Sequence, residues 1–281
     1  MSAHHVPPLE GRCILITGIA DEASLALPIA REAQAAGAHL VCAGLGRTRH
    51  HADLSSAAQR YMDGAQQGFE RAVVEALGDV PRFVLDAMLD ESVEDLARDL
   101  AGRGIRLDGL VHAIAFDRTI RGGQAKPLLA TTRSEFLDCM SVSAYSLIAL
   151  LRALLEAGVL AEGGAAVTLS YAGAERVMPH PYRNIGVAKA ALERIVRELA
   201  AELGRSHGLR VNAVRFSPWT RSRAGGAIPG LADALALAGE RAPLGNASTQ
   251  SLAREVVHLL RPGTAITGDV RHVDGGYHVL G

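Results

Sequence analysis

Tyr182 and Lys189 stand seven positions apart at the start of a stretch with helical periodicity, so their side chains share one helix face. An ammonium beside a phenol favours the phenolate and can also hydrogen-bond ribose hydroxyls. A phenol held against a carbonyl can donate a proton or hydrogen bond to a developing oxyanion. An ordinary amphipathic helix with Tyr at its start and Lys on a solvated face would show the same pair. Near the N-terminus, Thr17-Gly18 closes an apolar run and is followed by Ser24 and Leu25. A glycine there lets backbone approach a pyrophosphate, and the next helix presents free N–H groups and its positive dipole end. Ser24 is placed to cap that helix or to touch a phosphate. The full G-x-G-x-x-G pattern is absent, and a plain glycine turn with an N-cap accounts for the string equally well.

The elements around these residues alternate from end to end. Apolar runs predict strands at 13–17, 39–43, 82–85, 109–115, 165–169, 209–215 and 270–273. Helical patterns occupy the intervals: a stretch ending near Ala36, 53–77, a helix to Gly102 opened by a capping box at 92–95, one from Thr132-Arg-Ser-Glu135 to Ala157, and 184–203. Strands bridged by helices imply right-handed crossovers and a doubly wound α/β fold: a Rossmann-type parallel sheet flanked by helices. No linker or repeat divides the chain, which predicts one domain over 9–281 behind a disordered lead-in of residues 1–8. In such sheets ligands bind beyond the carboxyl ends of the strands, where strand order reverses.

Composition excludes some classes. With 29 basic and 30 acidic residues the net charge is −1, which argues against nucleic-acid or membrane-surface binding. All but two of the basic residues are Arg, the exceptions being Lys126 and Lys189. Cys13, Cys42 and Cys139 have no paired or metal-ligand spacing and predict buried free thiols, with no metal site. The most apolar helical stretch, near 145–155, carries Arg152 and is too short to span a bilayer, so a cytoplasmic protein is expected.

Ser170-Tyr171-Ala-Gly-Ala-Glu-Arg-Val-Met-Pro179, with Tyr182 and Lys189 beyond it, resembles the FabI-type enoyl-[acyl-carrier-protein] reductases, a divergent branch of the short-chain dehydrogenase/reductase superfamily. The likeness extends to Thr17-Gly18 with Ser24, to residues 108–116 and to Ile266-Thr-Gly-Asp-Val-Arg-His-Val-Asp-Gly-Gly-Tyr277, nearly the whole chain. It implies NADH or NADPH held along Gly18, Ser24, Leu25, Leu45, Asp86, Ala87, Ile114, Lys189, Trp219 and Arg221. Tyr182 then supports a thioester carbonyl, Lys189 binds the ribose and Tyr171 lines the pocket. The remaining substrate contacts fall to Phe116, Asp117 and Trp219, under a mobile loop at about 219–240. The implied reaction is conjugate reduction of a 2-enoyl thioester or a related conjugated substrate, on an acyl carrier protein and in a homotetramer.

The departures cluster on the substrate side. Trp219 and Arg221 stand where the family has smaller residues, and Arg221 either pairs with the pyrophosphate or is simply exposed. His180-Pro181 adds one residue between Tyr171 and Tyr182, which gives Tyr171 room to tilt away from the substrate and makes His180 an extra acid or, in preference, a solvent-facing loop His. Asp117 replaces a small apolar residue and implies a polar substrate, or a carboxylate turned to solvent. Together these suggest an unusual acyl group, as in secondary metabolism. The second strand ends without an acidic residue, and Arg47 or Arg49 could hold the 2′-phosphate of NADPH. A carbonyl or imine reductase on the same scaffold, or a catalytically impaired cofactor-binding partner, are the alternatives.

Overall fold

The computed structural model describes residues 7–51 and 53–280. Along the chain run β1 (Cys13–Thr17), α1 (Ala26–Ala35), β2 (His39–Gly44), α2 (Ser56–Leu77), β3 (Arg82–Val84), α3 (Asp90–Gly102) and β4 (Leu107–His112). A short hairpin, β5 (Ile120–Arg121) and β6 (Gln124–Ala125), precedes α4 (Arg133–Met140), a π-helical turn (Ser141–Tyr145) and α5 (Ser146–Glu156). Then come β7 (Leu160–Tyr171), α6 (Arg183–His207), β8 (Arg210–Phe216), α7 (Arg223–Gly226), α8 (Leu231–Arg241), α9 (Thr249–Leu260) and β9 (Val270–Val273).

Seven strands form one parallel sheet in the order β3-β2-β1-β4-β7-β8-β9. Its strands read as continuous apolar runs because both faces are covered. Alternate residues therefore serve different cores. Ile14 and Ile16 pack toward α1, α2 and α9, whereas Leu15 packs toward α3, α5 and α6. The direction of winding reverses between β1 and β4, so the crevice for a ligand opens over Gly18 and Ile114.

The Rossmann-type sheet matches the expected architecture, with local differences. The capping box expected at 92–95 does not form. α3 starts two residues earlier at Asp90, and the Ser92 hydroxyl instead accepts the Asp86 N–H at 3.0 Å. The box at Thr132 does form, with Glu135 returning to the Thr132 N–H at 2.8 Å. Lys126, which suggested no role in the sequence, donates to both Glu135 oxygens at 3.0 and 2.8 Å and ties the hairpin to α4. That ion pair, with the cap bonds, holds the Glu135 carboxyl down at about 2.

The helix expected from Thr132 to Ala157 forms, but the expectation that its apolar part near 145–155 is too short to span a bilayer does not hold by length and composition. Through the π turn it is continuous over Arg133–Glu156, 24 residues that are long and apolar enough to cross a membrane, but 61% of its apolar window is buried inside the protein. α5 supplies Leu147, Leu150, Leu151 and Leu154 to the core, which accounts for the apolarity. Residues 1–6 of the expected lead-in lie outside the described residues. Pro7 and Pro8, its last two residues, lead into a turn in which the Pro7 carbonyl accepts the Glu10 N–H and Leu9 is fully buried. The region expected as a loop at 219–240 is largely helical, as α7 and α8. Cys42 and Cys139 are buried, but Cys13 only partly so. Burial pushes all three thiols up, Cys13 to about 11 and the others to about 12, which makes them poor nucleophiles.

Candidate active site

The β1–α1 turn is shaped by Gly18. Its φ is +86°, and a Cβ there would lie 2.1 Å from the Ala113 carbonyl oxygen, so only glycine lets this turn close against the end of β4. Ser24 is not the N-cap of α1; that position is Leu25, which is half-buried and packs against the core. The Ser24 hydroxyl accepts the Ala20 and Asp21 N–H groups at 3.0 and 3.1 Å and donates to Asp21 Oδ1, folding the loop on itself. Pro28 falls within the first turn of α1, where its missing N–H costs little.

Beyond β2 and β3 the expected adenine-side residues are already engaged. Asp86 holds His51 Nε2 at 3.0 Å through one carboxylate oxygen and accepts the Met88 N–H through the other. Leu45, just past β2, and Ala87, next to Asp86 beyond β3, are both half-buried. Arg47 pairs with Asp63 at 3.3 Å and Arg49 with Asp95 at 2.5 Å. Each Arg proposed for a 2′-phosphate thus already faces a carboxylate.

Lys189 lies buried in the second turn of α6. Its Nζ donates to the Leu169 carbonyl at 2.9 Å and the Ile114 carbonyl at 3.4 Å, joining the ends of β7 and β4. Burial lowers its pKa to about 8, with Cys139 and Glu193 opposing the shift. Tyr182 is the N-cap residue of α6 and its ring sits on Gly173: a Cβ on that glycine would be 2.3 Å from Tyr182 Cδ1. The Tyr182 phenol is raised above the usual range by burial, then by Cys139, Asp117 and Glu193. The phenolate favoured by the Tyr–Lys spacing is therefore not the resting form; the group is a protonated donor.

Tyr171 turns toward Tyr182. Its ring meets Tyr182 edge to face at 4.9 Å between centroids, and burial raises its phenol as well. The expectation of a solvent-facing His180 is overturned. His180 is 3% exposed, and its ring centroid lies 5.6 Å from Tyr171 and 5.9 Å from Tyr182. The reason is a tight turn at Pro181, in which the Tyr182 N–H donates to the His180 carbonyl at 2.9 Å. The added residue is thus absorbed by folding inward. Burial lowers the imidazole to about 4, so it is neutral near pH 7.

Asp117 is not turned wholly to solvent either. Its Oδ1 accepts from the Thr119 N–H at 2.9 Å and hydroxyl at 2.7 Å, while its Oδ2 is buried. Phe116 is exposed at the rim, and Ser143, from the π turn, clamps its backbone by accepting its N–H and donating to its carbonyl, both at 2.9 Å. A π turn at such a place sets one side chain's aim. Trp219 donates from Nε1 to the Ala23 carbonyl at 3.1 Å, bridging the end of β8 to the β1–α1 loop. Arg221 is exposed, its guanidinium 5.9 Å from the Trp219 ring.

Two supports were not visible as such in the sequence. Arg215 on β8 makes a two-pronged pair with Glu193 of α6 at 2.7 and 2.6 Å, and also pairs with Glu175. Ser170 donates to the same Glu193 at 2.6 Å, so this ion pair fixes the end of β7 against α6, directly beneath Tyr171 and Lys189. Near the C-terminus His272, Asp274 and His278 cluster, but Asp274 is occupied by the Gly276 and His278 N–H groups and Arg215 stands 3.5 Å from His272. These contacts describe a turn lock.

For a dinucleotide, the residues at this edge fit: a bare backbone at Gly18, a buried ammonium at Lys189 and apolar margins at Leu25, Leu45 and Ile114. The strand order and the Tyr182–Lys189 pair together define a Rossmann-type fold of the short-chain dehydrogenase/reductase class. Residues 18–278 match the family model described as Enoyl-(Acyl carrier protein) reductase. The chain is 37% identical to the NADH enoyl-[acyl-carrier-protein] reductase FabI of Aquifex aeolicus, over 97% of this chain and 93% of that one. The crystal structure of the Alistipes finegoldii FabI–NADH complex superposes with a TM-score of 0.84 at 26% identity, covering 98% of this chain and 90% of that one. The Bacillus cereus reductase with NADP+ and indole naphthyridinone gives 0.82 at 30%, covering 97% and 98%. The chain belongs to the enoyl-[acyl-carrier-protein] reductase family.

Proposed function

We propose that this chain reduces the C2=C3 bond of a 2-enoyl thioester, presented on an acyl carrier protein, with NADH as the hydride source. The observation that carries the reading is the pair of phenols, Tyr171 and Tyr182, held edge to face at the end of β7, whose backbone the buried Lys189 ammonium grips at the Leu169 carbonyl. A reduced nicotinamide dinucleotide held along Gly18 and Lys189 would, when bound, supply the hydride for C3. Tyr182 donates a hydrogen bond to the thioester oxygen, where the electron pair accumulates, and a proton taken up from solvent at C2 completes the reduction. Lys189 holds ribose hydroxyls, and Gly18 brings the backbone to the pyrophosphate. NADH is favoured over NADPH because Arg47 and Arg49 are paired with carboxylates and the Aquifex aeolicus relative is named for NADH. A cytoplasmic homotetramer goes with this reading, as does one domain over 9–281 with its substrate cover at about 219–240.

The test is to incubate the protein with NADH or NADPH and matched 2-enoyl and 3-ketoacyl thioesters while following reduced-nicotinamide absorbance. Oxidation with the enoyl substrates alone is expected. Turnover of only the ketoacyl set, or cofactor binding without turnover, overturns the reading.

A further inference from the structure

Every polar atom around the β1–α1 turn named above has a protein partner, whereas the aromatic cluster beside α6 does not. Tyr171 Oη and both His180 ring nitrogens are buried with no hydrogen-bond partner among the described residues. His180 lies between two rings of the site and under the start of α8, where a Cβ on Gly230 would be 4.0 Å from its own Cβ. A buried donor or acceptor without a partner is costly, so such groups are retained where something satisfies them. These atoms are already shut away from solvent, and a purely alkyl acyl chain would satisfy none of them.

We infer that His180 and Tyr171 form a polar subsite that selects an acyl chain bearing a hydroxyl next to the double bond. This rests on the enoyl-thioester reading. A neutral imidazole offers one N–H donor and one lone-pair acceptor, and a phenol offers both, which is the complement of a hydroxyl. Tyr182 remains free for the thioester oxygen. The chemistry of the reduction is unchanged, and the subsite acts on which substrate is held. Because these atoms are already buried without partners, a hydroxyl that pairs with the phenol and with one ring nitrogen gains hydrogen bonds that an alkyl chain cannot make, and discrimination follows from that gain.

The experiment compares 4-hydroxy-2-hexenoyl and 2-hexenoyl thioesters under NADH, with the wild-type protein, His180→Phe and His180→Asn. Wild type is expected to favour the hydroxylated substrate in kcat/KM by roughly tenfold to a hundredfold. The ratio should collapse toward one in His180→Phe and recover in part in His180→Asn, which keeps a donor and an acceptor. NADH titration of each variant verifies that the fold is intact. Equal kcat/KM for both substrates in the wild type, or an unchanged ratio in His180→Phe, overturns the inference alone. Reduction of neither substrate, with NADH still bound, overturns the enoyl reading and this inference with it.

Discussion

The two sides of the crevice are built differently. On the side of β1 to β3, the side chains proposed to face the dinucleotide are held by their own loops: Ser24 by Ala20 and Asp21, Asp86 by His51 and Met88. On the side of β7 and α6, Asp117 Oδ2, Tyr171 Oη, both His180 nitrogens and Asn184 Oδ1 are buried without partners. The first side is preorganised for one invariant ligand. The second holds unsatisfied polarity that a variable ligand must meet, which is how one scaffold keeps its cofactor while changing its substrate.

The largest break expected lies beneath the second side. Arg215→Leu leaves Glu193 buried and unpaired and should lower unfolding stability by about 3–5 kcal/mol, read from chemical denaturation. A loss below about 1 kcal/mol would show the pair to be dispensable.

Next in size, Tyr182→Phe removes a donor worth roughly 2.7–4 kcal/mol in the transition state, about two orders of magnitude or more in turnover. Cofactor affinity should barely change, because the loss is confined to one side of the crevice. Near-normal turnover would remove Tyr182 from the chemistry.

Gly173→Ala probes the same side through position alone. The new methyl meets the Tyr182 ring at 2.3 Å, so the ring must move. Turnover should fall by about tenfold or more with folding largely intact, measured as kcat beside a melting curve.

The smallest and most diagnostic effect is on pH. Lys189, near 8, should lose its proton as pH rises through that value, so cofactor affinity should weaken above pH 8 while the phenols stay protonated. Folding stability runs the other way there: the unfolded chain holds that proton up to about 10.5, so stability rises with pH from 8 to 10.5. His180 and His112, lowered to about 4 and 3, are neutral in the fold, so stability should fall as pH drops from 6.5 through those values. A flat cofactor affinity from pH 7 to 9.5 would contradict the first of these expectations.

Much of this was legible from residue types. Apolar runs such as Ile14-Leu-Ile16 become doubly covered strands whatever surrounds them, and Thr132 with Glu135 caps α4 because both partners are local. The Tyr182–Lys189 spacing likewise put both residues at the start of one helix, where Tyr182 is the N-cap of α6 and Lys189 lies in its second turn. Ser92 shows the limit: its capping box looked sound, but the Asp86 N–H was a better partner in three dimensions.

The amino-acid sequence by itself determined the order of elements, the parallel sheet and the side of the sheet on which chemistry sits, since these follow from periodicity and chain direction. Only the tertiary structure decided which groups are paired. It turned His180 inward at Pro181, gave Lys126 its carboxylate, joined Arg215 to Glu193 across two elements and kept both phenols protonated by burying them. Burial and long-range partners set a side chain's charge and hydrogen bonds, and neither is carried by the spacing of residues along the chain.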